Sequence, residues 1–292
     1  MDSLKPTILL QLDTDPQPSV FDRVVAVDSG VAHLFSYGGV KPETVMTLIH
    51  GCIFTRGPKD LHRTAIFVGG SDVAAGEAVL AEVRKHLLPQ YGLSVSVMLD
   101  SNGANTTAAA AVRAAGQHLA LGDAKALVLG GTGPVGQRVA QLLARQGAHV
   151  RIGSRQQEKA EAVCLAIRAR VPHANVEAIG VASSADGPKA MEGRTLVVAA
   201  GAPGAVLLPR KLREACKTLR VAIDLNGVPP VGIEGIEPTD RGADREGVLG
   251  YGALGVGGTK MKVHKAGIAR LFEANNLALD LDELYDIALK LP

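Results

Sequence analysis

The stretch from residue 126 to residue 155 constrains the fold of this chain more than any other. It opens Ala-Leu-Val-Leu-Gly-Gly-Thr-Gly-Pro-Val-Gly and closes His-Val-Arg-Ile-Gly-Ser-Arg. Residues 126–129 form a short apolar run, the pattern of a strand buried on both faces of a parallel sheet. Gly131, Gly133 and Gly136 follow in G-x-G-x-x-G spacing. Such glycines allow a tight turn, close approach of the backbone to a pyrophosphate, and close packing of helix on strand. A helix is predicted over 135–146, with its free N–H groups facing the phosphates. Gly147 stops it, and a second strand covers 149–152. The glycine spacing alone is a weak motif. The strand before it, the helix after it and the second strand make a βαβ unit for a dinucleotide, with Gly131, Thr132, Gly133, Pro134, Val135 and Gly136 as its phosphate loop.

The end of the second strand indicates which dinucleotide. An NAD site offers Asp or Glu about 20 residues on, for the ribose 2′-hydroxyl. This chain offers Gly153, Ser154 and Arg155, with Lys159 one turn further. A guanidinium forks onto a 2′-phosphate that a carboxylate would repel. NADP is therefore the expected cofactor, against the alternative that Arg155 is a solvated loop charge.

Bulk properties exclude several classes. A net charge of +2 argues against nucleic-acid or membrane-surface binding driven by bulk electrostatics. No apolar run approaches the roughly 20 residues of a membrane span. The opening Met-Asp-Ser-Leu-Lys-Pro lacks the layout of a signal peptide. Cys52, Cys164 and Cys216 are odd in number and widely spaced, as expected of reduced thiols in a cytoplasmic protein. The eight histidines are scattered without ligand spacing, so no metal site is expected.

Before the glycine loop, strands are predicted at 7–12, 34–37, 63–68 and 93–99. Helices are predicted from a Ser19 cap to 27 or 29, over 42–49, over 73–88 behind Ser71 and Asp72, and from 106 or 107 to about 119. This alternation predicts a parallel α/β domain. After the loop, further strands at 176–181, 195–199, 220–224 and 248–250 complete a doubly wound sheet, whose ligands lie past the carboxyl ends of the strands. Those ends carry Ala200 and Gly201, then Asn226, then the glycine-dense segment 250–258 with Gly255. That segment reads either as a loop against the cofactor or as a flexible crossover. Helices over 260–275 and 282–291 are expected to return to the first domain. The fold class is thus two-domain α/β: residues 1–122 joined by 260–292, and a Rossmann-type domain over 123–259.

Polar clusters at strand ends of the first domain are the candidates for substrate. Asp13, Asp15 and Asp22 form an acidic corner, and Asp100, Ser101, Asn102 and Asn105 a polar one. Together they would bind a polar heterocycle; alternatively Asp13 and Asp15 form turns, and Asn105 or Thr106 caps a helix. Lys260, Lys262, His264 and Lys265 crowd the start of a predicted helix, where the dipole disfavours cations. That position suits a lysine of lowered pKa or one facing an anion, or else a solvated surface.

These residues, taken together, resemble a known family. Leu12 to Asp22, Tyr37-Gly38, Phe54 to Gly57, Ala65 to Gly70, Met98 to Ala110, Gly131 to Gly136, Pro229-Pro230 and Gly252 through Lys260 and Lys262 are similar to the bacterial NADP-dependent methylenetetrahydromethanopterin/methylenetetrahydrofolate dehydrogenases. The resemblance spans essentially the whole chain; Ser154 and Thr259 depart from it. It implies a pterin one-carbon carrier held by Asp22, Asp100, Asn102, Thr106, Thr107 and Lys260, NADP on the second domain, and a homo-oligomer. The implied reaction is hydride transfer from a methylene bridge to NADP⁺ in one-carbon metabolism, with Asp22 or Asp100 stabilising the growing cation and Lys260 binding pterin. The rivals are a two-lobe NADP oxidoreductase of shikimate-like hydroxy acids and a non-catalytic NADP sensor.

Overall fold

Short apolar runs and side-chain caps set most of the element boundaries in the computed structural model, which describes residues 4–292. The first half runs β1 (Ile8–Asp13), α1 (Val20–Asp28), β2 (His33–Tyr37), α2 (Val45–Phe54), β3 (Thr64–Gly69), α3 (Val73–His86), β4 (Ser96–Leu99) and α4 (Ala104–Gly116). Next come β5 (Lys125–Leu129), α5 (Pro134–Arg145), β6 (His149–Ser154), α6 (Gln157–Arg170), β7 (Val176–Gly180), α7 (Gly187–Met191), β8 (Leu196–Ala199), α8 (Arg210–Ala215) and β9 (Val221–Asp224). The chain closes with β10 (Arg241–Arg245), β11 (Val248–Tyr251), α9 (Ala253–Arg270), β12 (Ala278–Leu279) and α10 (Leu281–Lys290). Two units result: residues up to Thr106 with Met261–Pro292, and Thr107–Lys260.

The first unit is built on a parallel sheet of order β12-β4-β3-β1-β2. Every residue of β3, its central strand, is buried. Ser19 caps α1 by accepting the Asp22 N–H, and Asp72 caps α3 by accepting the Ala75 N–H. Leu10, Leu12, Ile66 and Val68 pack with Ile49 and Ile53 of α2 and Val79 and Val83 of α3. Strand order reverses between β1 and β3, so a ligand is expected past the ends of those two strands.

The second unit holds a seven-stranded sheet of order β10-β11-β9-β8-β5-β6-β7, parallel except for β10. Read from β7 to β11, this is the Rossmann order, with its switch point between β5 and β8. Gly147, at φ +87°, follows α5 as the predicted stop.

Three expectations are corrected. Segment 250–258 is neither a loop nor a flexible crossover: it is the end of β11 and the first turns of α9, the helix within which the chain returns to the first unit at Met261. Its glycines serve packing, since a Cβ on Gly252 would stand 2.0 Å from the Glu237 carbonyl oxygen and one on Gly255 1.7 Å from that of Asp240. Lys260 consequently lies inside α9, not at its start, and the helix-dipole argument for it falls. The alanine-rich helix begins at Ala104, so Asn105 and Thr106 belong to its first turn and neither caps it. Two strands, β10 and β12, lie where none was expected. Among the described residues no helix is long and apolar enough to cross a membrane.

Candidate functional site

In the first unit the switch point is bordered by loops that their own carboxylates hold together. Asp13 is fully buried; its Oδ1 accepts the Asp15 N–H (2.9 Å), and its Oδ2 accepts the Ser19 N–H (2.9 Å) and Gln11 Nε2–H (3.3 Å). Asp15 accepts the Ser71 N–H (2.9 Å) and hydroxyl (2.8 Å), tying the loop after β1 to the loop after β3. Asp13 thus forms the turn after β1, and Asp15 joins that turn to the next loop. Asp22 lies half-buried in the first turn of α1. Its Oδ2 and that of Asp13 each lie 3.5 Å from where a Cβ on Gly69 would stand. A Cβ there would also stand 3.0 Å from Phe67 Cε1, so the buried end of β3 is closely packed, with both carboxylate oxygens beside it.

At the end of β4, Asp100 is buried and organises α4. Its Oδ1 accepts the N–H groups of Asn105 and Thr106 (both 3.0 Å), and its Oδ2 accepts the Thr106 hydroxyl (2.6 Å). Asn105 Nδ2 donates to the Leu99 carbonyl (2.8 Å) and to Asp280 (3.0 Å); the buried Ser101 hydroxyl donates to the Gly69 carbonyl (3.3 Å). Asn102 is exposed at φ +56°, its N–H fixed on the Gly70 carbonyl (2.6 Å). Thr107 is half-buried.

Sequence reasoning missed an aromatic wall beside this carboxylate. His264, fully buried, stacks on Phe67 (5.4 Å between ring centroids, 21°) and lies 6.2 Å from the Phe21 ring. Its Nδ1 is 3.7 Å from Asp100 Oδ2. Phe21 is the partly exposed ring of the three, at 46 %, and offers a face to a flat heterocycle. Lys260 precedes His264 by one helical turn and shares its face of α9. Lys262 projects from the other side and is exposed, so it does not join Lys260. The available signal is scarcity: with five phenylalanines and no tryptophan in the chain, the Phe67 of β3 and the Phe21 of α1 are worth notice.

In the second unit the glycine loop has the shape that a pyrophosphate requires. A Cβ on Gly136 would stand 2.5 Å from the Gly130 carbonyl oxygen, and one on Gly131 2.7 Å from Ile152 Cγ2. Gly130, at φ +67°, lies so near the loop after β8 that its Cβ would be 2.5 Å from Gly201 Cα. Gly133 is the N-cap of α5, Pro134 its first residue, and Gln137 Nε2 fixes the loop through the Thr132 carbonyl (2.8 Å). Val135 lies half-buried in the first turn, and Ala200 half-buried past β8. This cradle fits a dinucleotide pyrophosphate, with backbone N–H groups and the positive end of α5 as donors.

Beyond β6, Ser154 is buried and its Oγ accepts the Gln156 N–H (3.2 Å). Arg155 and Lys159 are exposed, and the nearest following acid, Glu158, lies in the first turn of α6. Past β9, Asn226 is engaged within its own loop: Oδ1 accepts the Val228 N–H (3.1 Å) and Nδ2 donates to the Pro230 carbonyl (3.3 Å). Burial pushes the Asp224 carboxyl above the ordinary carboxylate range, while N–H groups of Ile233, Asn226 and Gly232 pull it down. Gly255 faces the Asp240 carbonyl, as described above, and is a packing glycine. Among the described residues no group of three or more His, Cys, Asp or Glu could hold a metal ion.

Comparison with known proteins agrees with both halves. A family described as methylene-tetrahydromethanopterin dehydrogenase, N-terminal, matches residues 20–102, and one described as NADP oxidoreductase coenzyme F420-dependent matches 125–186. The bifunctional protein MdtA of Methylorubrum extorquens is 44% identical over 285 residues, 96% of this chain and 97% of that protein. The NAD(P)-dependent methylenetetrahydromethanopterin dehydrogenase of the same organism is 29% identical over 301 residues, 98% of each. Among solved structures, shikimate 5-dehydrogenase from Listeria monocytogenes aligns with a TM-score of 0.57 at 13% identity over 98% of each chain. The 5-ketofructose reductase of Gluconobacter aligns at 0.56 and 17%, over 98% of this chain and 99% of that one. At those identities the likeness is one of fold.

Proposed function

Because the chain belongs to the methylene-tetrahydromethanopterin dehydrogenase family, we propose that it oxidises methylene-tetrahydromethanopterin, methylene-tetrahydrofolate or both to the methenyl form, by direct hydride transfer. The observation that carries this reading is the 44% identity to a bifunctional relative over 96% of the chain, in a protein whose glycine loop fits a pyrophosphate. NADP, when bound, supplies the hydride acceptor. Arg155, with Lys159 behind it, is assigned to the 2′-phosphate.

The substrate's own chemistry sets what the protein must do. The reacting carbon lies between two nitrogens that delocalise the charge left by a departing hydride, so no general base is needed. The residues orient the pterin and keep water from the cation. Phe21 stacks on the pterin, Asp22 opposes the growing positive charge, and Asn102 and Thr107 donate hydrogen bonds. Asp100 and Thr106 act indirectly, by holding the start of α4. Lys260 binds the pterin and leaves the hydride step to the other groups.

The same reading makes the protein a cytoplasmic homo-oligomer. Supporting the second part, α1 carries Val25 and Ala26 against its own unit yet exposes Val20, Val24 and Val27 on its opposite side. A helix apolar on both sides is normally covered on both, here by a second copy of the chain.

The test is an assay of both methylene pterins with NADP⁺ and with NAD⁺, read as reduced nicotinamide. Absorbance growing with NADP⁺ and at least one pterin is expected. NADP binding without turnover of either pterin would make the protein a sensor instead.

A further inference from the structure

Resting on the NADP reading above, we infer that Asp224 is a positioning residue for the nicotinamide end of the cofactor, acting through the loop that follows β9. Strand order fixes the direction in which a dinucleotide must lie. The pyrophosphate cradle follows β5, and the exposed cations Arg155 and Lys159 follow β6 on one side. The other end of the molecule must then extend the opposite way, over the ends of β8 and β9. Strand β9 is two strands from β5, about 10 Å at ordinary strand spacing, which is within reach of a nicotinamide riboside.

What β9 presents there is a ridge, Gly227-Val228-Pro229-Pro230, whose residues are all exposed. Side chains buried beneath it hold it in place. Asp224 Oδ1 accepts the Asn226 N–H (3.0 Å), and Oδ2 accepts the Ile233 N–H (2.8 Å), so one carboxylate pins both feet of the loop. Asn226 braces the interior through Val228 and Pro230. The far foot is also sewn to the loop after β8, where the N–H groups of Leu207 and Leu208 donate to the Gly232 carbonyl (2.8 and 3.0 Å). Gly232 has no room for a side chain: a Cβ would stand 2.7 Å from Asp224 Oδ1.

The ridge brings apolar surface and no charged side chain. A flat, neutral or cationic ring can rest on Val228 without competition from a side-chain donor. Freed from Asp224, the loop would keep its residues but lose its shape. The nicotinamide would then lose its wall while the adenosine end kept all of its contacts.

Two binding measurements separate these ends. Adenosine 2′,5′-bisphosphate reports the adenosine half by calorimetry, and the fluorescence of bound NADPH reports the surroundings of the nicotinamide. Asp224→Asn turns one acceptor into an amide donor facing a backbone N–H. Asn226→Ala removes the inner brace and is the milder change should the first variant fold poorly. In both we expect NADPH affinity to fall about tenfold and its emission to shift toward that of the free nucleotide, with the bisphosphate affinity within about twofold of wild type. Unchanged emission and affinity for NADPH in both variants would overturn the role of Asp224 alone. Failure of the wild-type protein to bind the bisphosphate would sink the NADP reading, and this inference with it. Parallel weakening of both ligands would mark Asp224 as merely structural.

Discussion

Replacing Arg155 tests the assignment of the cofactor most directly. Strand β6 ends in Ser154, buried and with its hydroxyl on the Gln156 N–H, so the turn that carries Arg155 is fixed from below. Arg155 itself is exposed. A hydrogen bond to a charged group contributes about 1.5–3 kcal/mol, and solvent around an exposed guanidinium argues for the lower end. Arg155→Ala should therefore weaken adenosine 2′,5′-bisphosphate about tenfold and leave 5′-AMP, which lacks the 2′-phosphate, nearly unchanged. Arg155→Asp should weaken the bisphosphate further, because a carboxylate repels the phosphate, and should improve NAD by accepting from the ribose 2′-hydroxyl. Titration calorimetry with both nucleotides at two salt concentrations checks this; the Arg155 contribution should shrink at the higher one. Equal losses for the bisphosphate and 5′-AMP would refute the reasoning, since they would mean that Arg155 supports the loop and does not read the phosphate.

Other perturbations probe the remaining parts. Gly136→Ala puts a Cβ 2.5 Å from the Gly130 carbonyl oxygen and 2.8 Å from Gly131 Cα, both backbone atoms; it should cost about 1–3 kcal/mol and lower Tm in a thermal melt, whereas an unchanged Tm would deny the close packing. Asp100→Asn sets an amide donor among groups that already donate to this buried carboxylate and should destabilise by about 1–3 kcal/mol in denaturant unfolding. Lys260→Ala should raise the pterin KM while kcat at saturating pterin persists; a lost hydride step at saturation would reassign Lys260 to the chemistry. His149 has its pKa lowered, chiefly by burial, so the folded state resists its protonation. Its contribution to stability is present above the unfolded value near 6.5 and lost as pH falls through the folded value. His149→Gln should flatten the stability profile between about pH 5 and 7, and an unaltered profile would exclude it.

The parts of this fold that the sequence makes legible are those fixed by neighbours in the chain. Ser19 caps α1 through a residue three positions on, Asp72 does the same for α3, and Gly147 stops α5. The glycine loop is readable because its turn, its helix and both of its strands lie within thirty residues. Legibility ends where the partner is distant. Five glycines in 250–258 suggest a loop by local rules, since each weakens a helix by about 1 kcal/mol relative to alanine. Two of them serve instead to let the chain approach the 237–240 turn, a contact no local pattern encodes. Strand β12 is likewise invisible: two residues long, it exists because β4 offers an open edge. In the sequence His264 stands among three lysines, and only the fold sets it against Phe67 and Asp100.

The same distinction sorts the acidic residues. Asp13, Asp15, Asp100 and Asp224 all stand at or just past the carboxyl end of a strand, where a ligand would be sought. Yet each carboxylate accepts N–H groups of the loop that follows or of a neighbouring loop. Withdrawing Asp100 or Asp224 would leave buried donors unmatched at about 1–3 kcal/mol apiece, and withdrawing Asp13 or Asp15 would untie the loops after β1 and β3, so a ligand recruits such a carboxylate only by dismantling the loop that frames it. Sequence patterns cannot tell these from acids that face a ligand, because turns and polar pockets use the same residue types. Asp22 stands elsewhere: it rides on α1, a helix capped by Ser19, and its Oδ2 lies 3.5 Å from where a Cβ on Gly69 would stand. That placement, on a helix and beside the end of β3, is the ground on which the charge opposing a pterin cation is proposed for Asp22 and not for a strand-end aspartate.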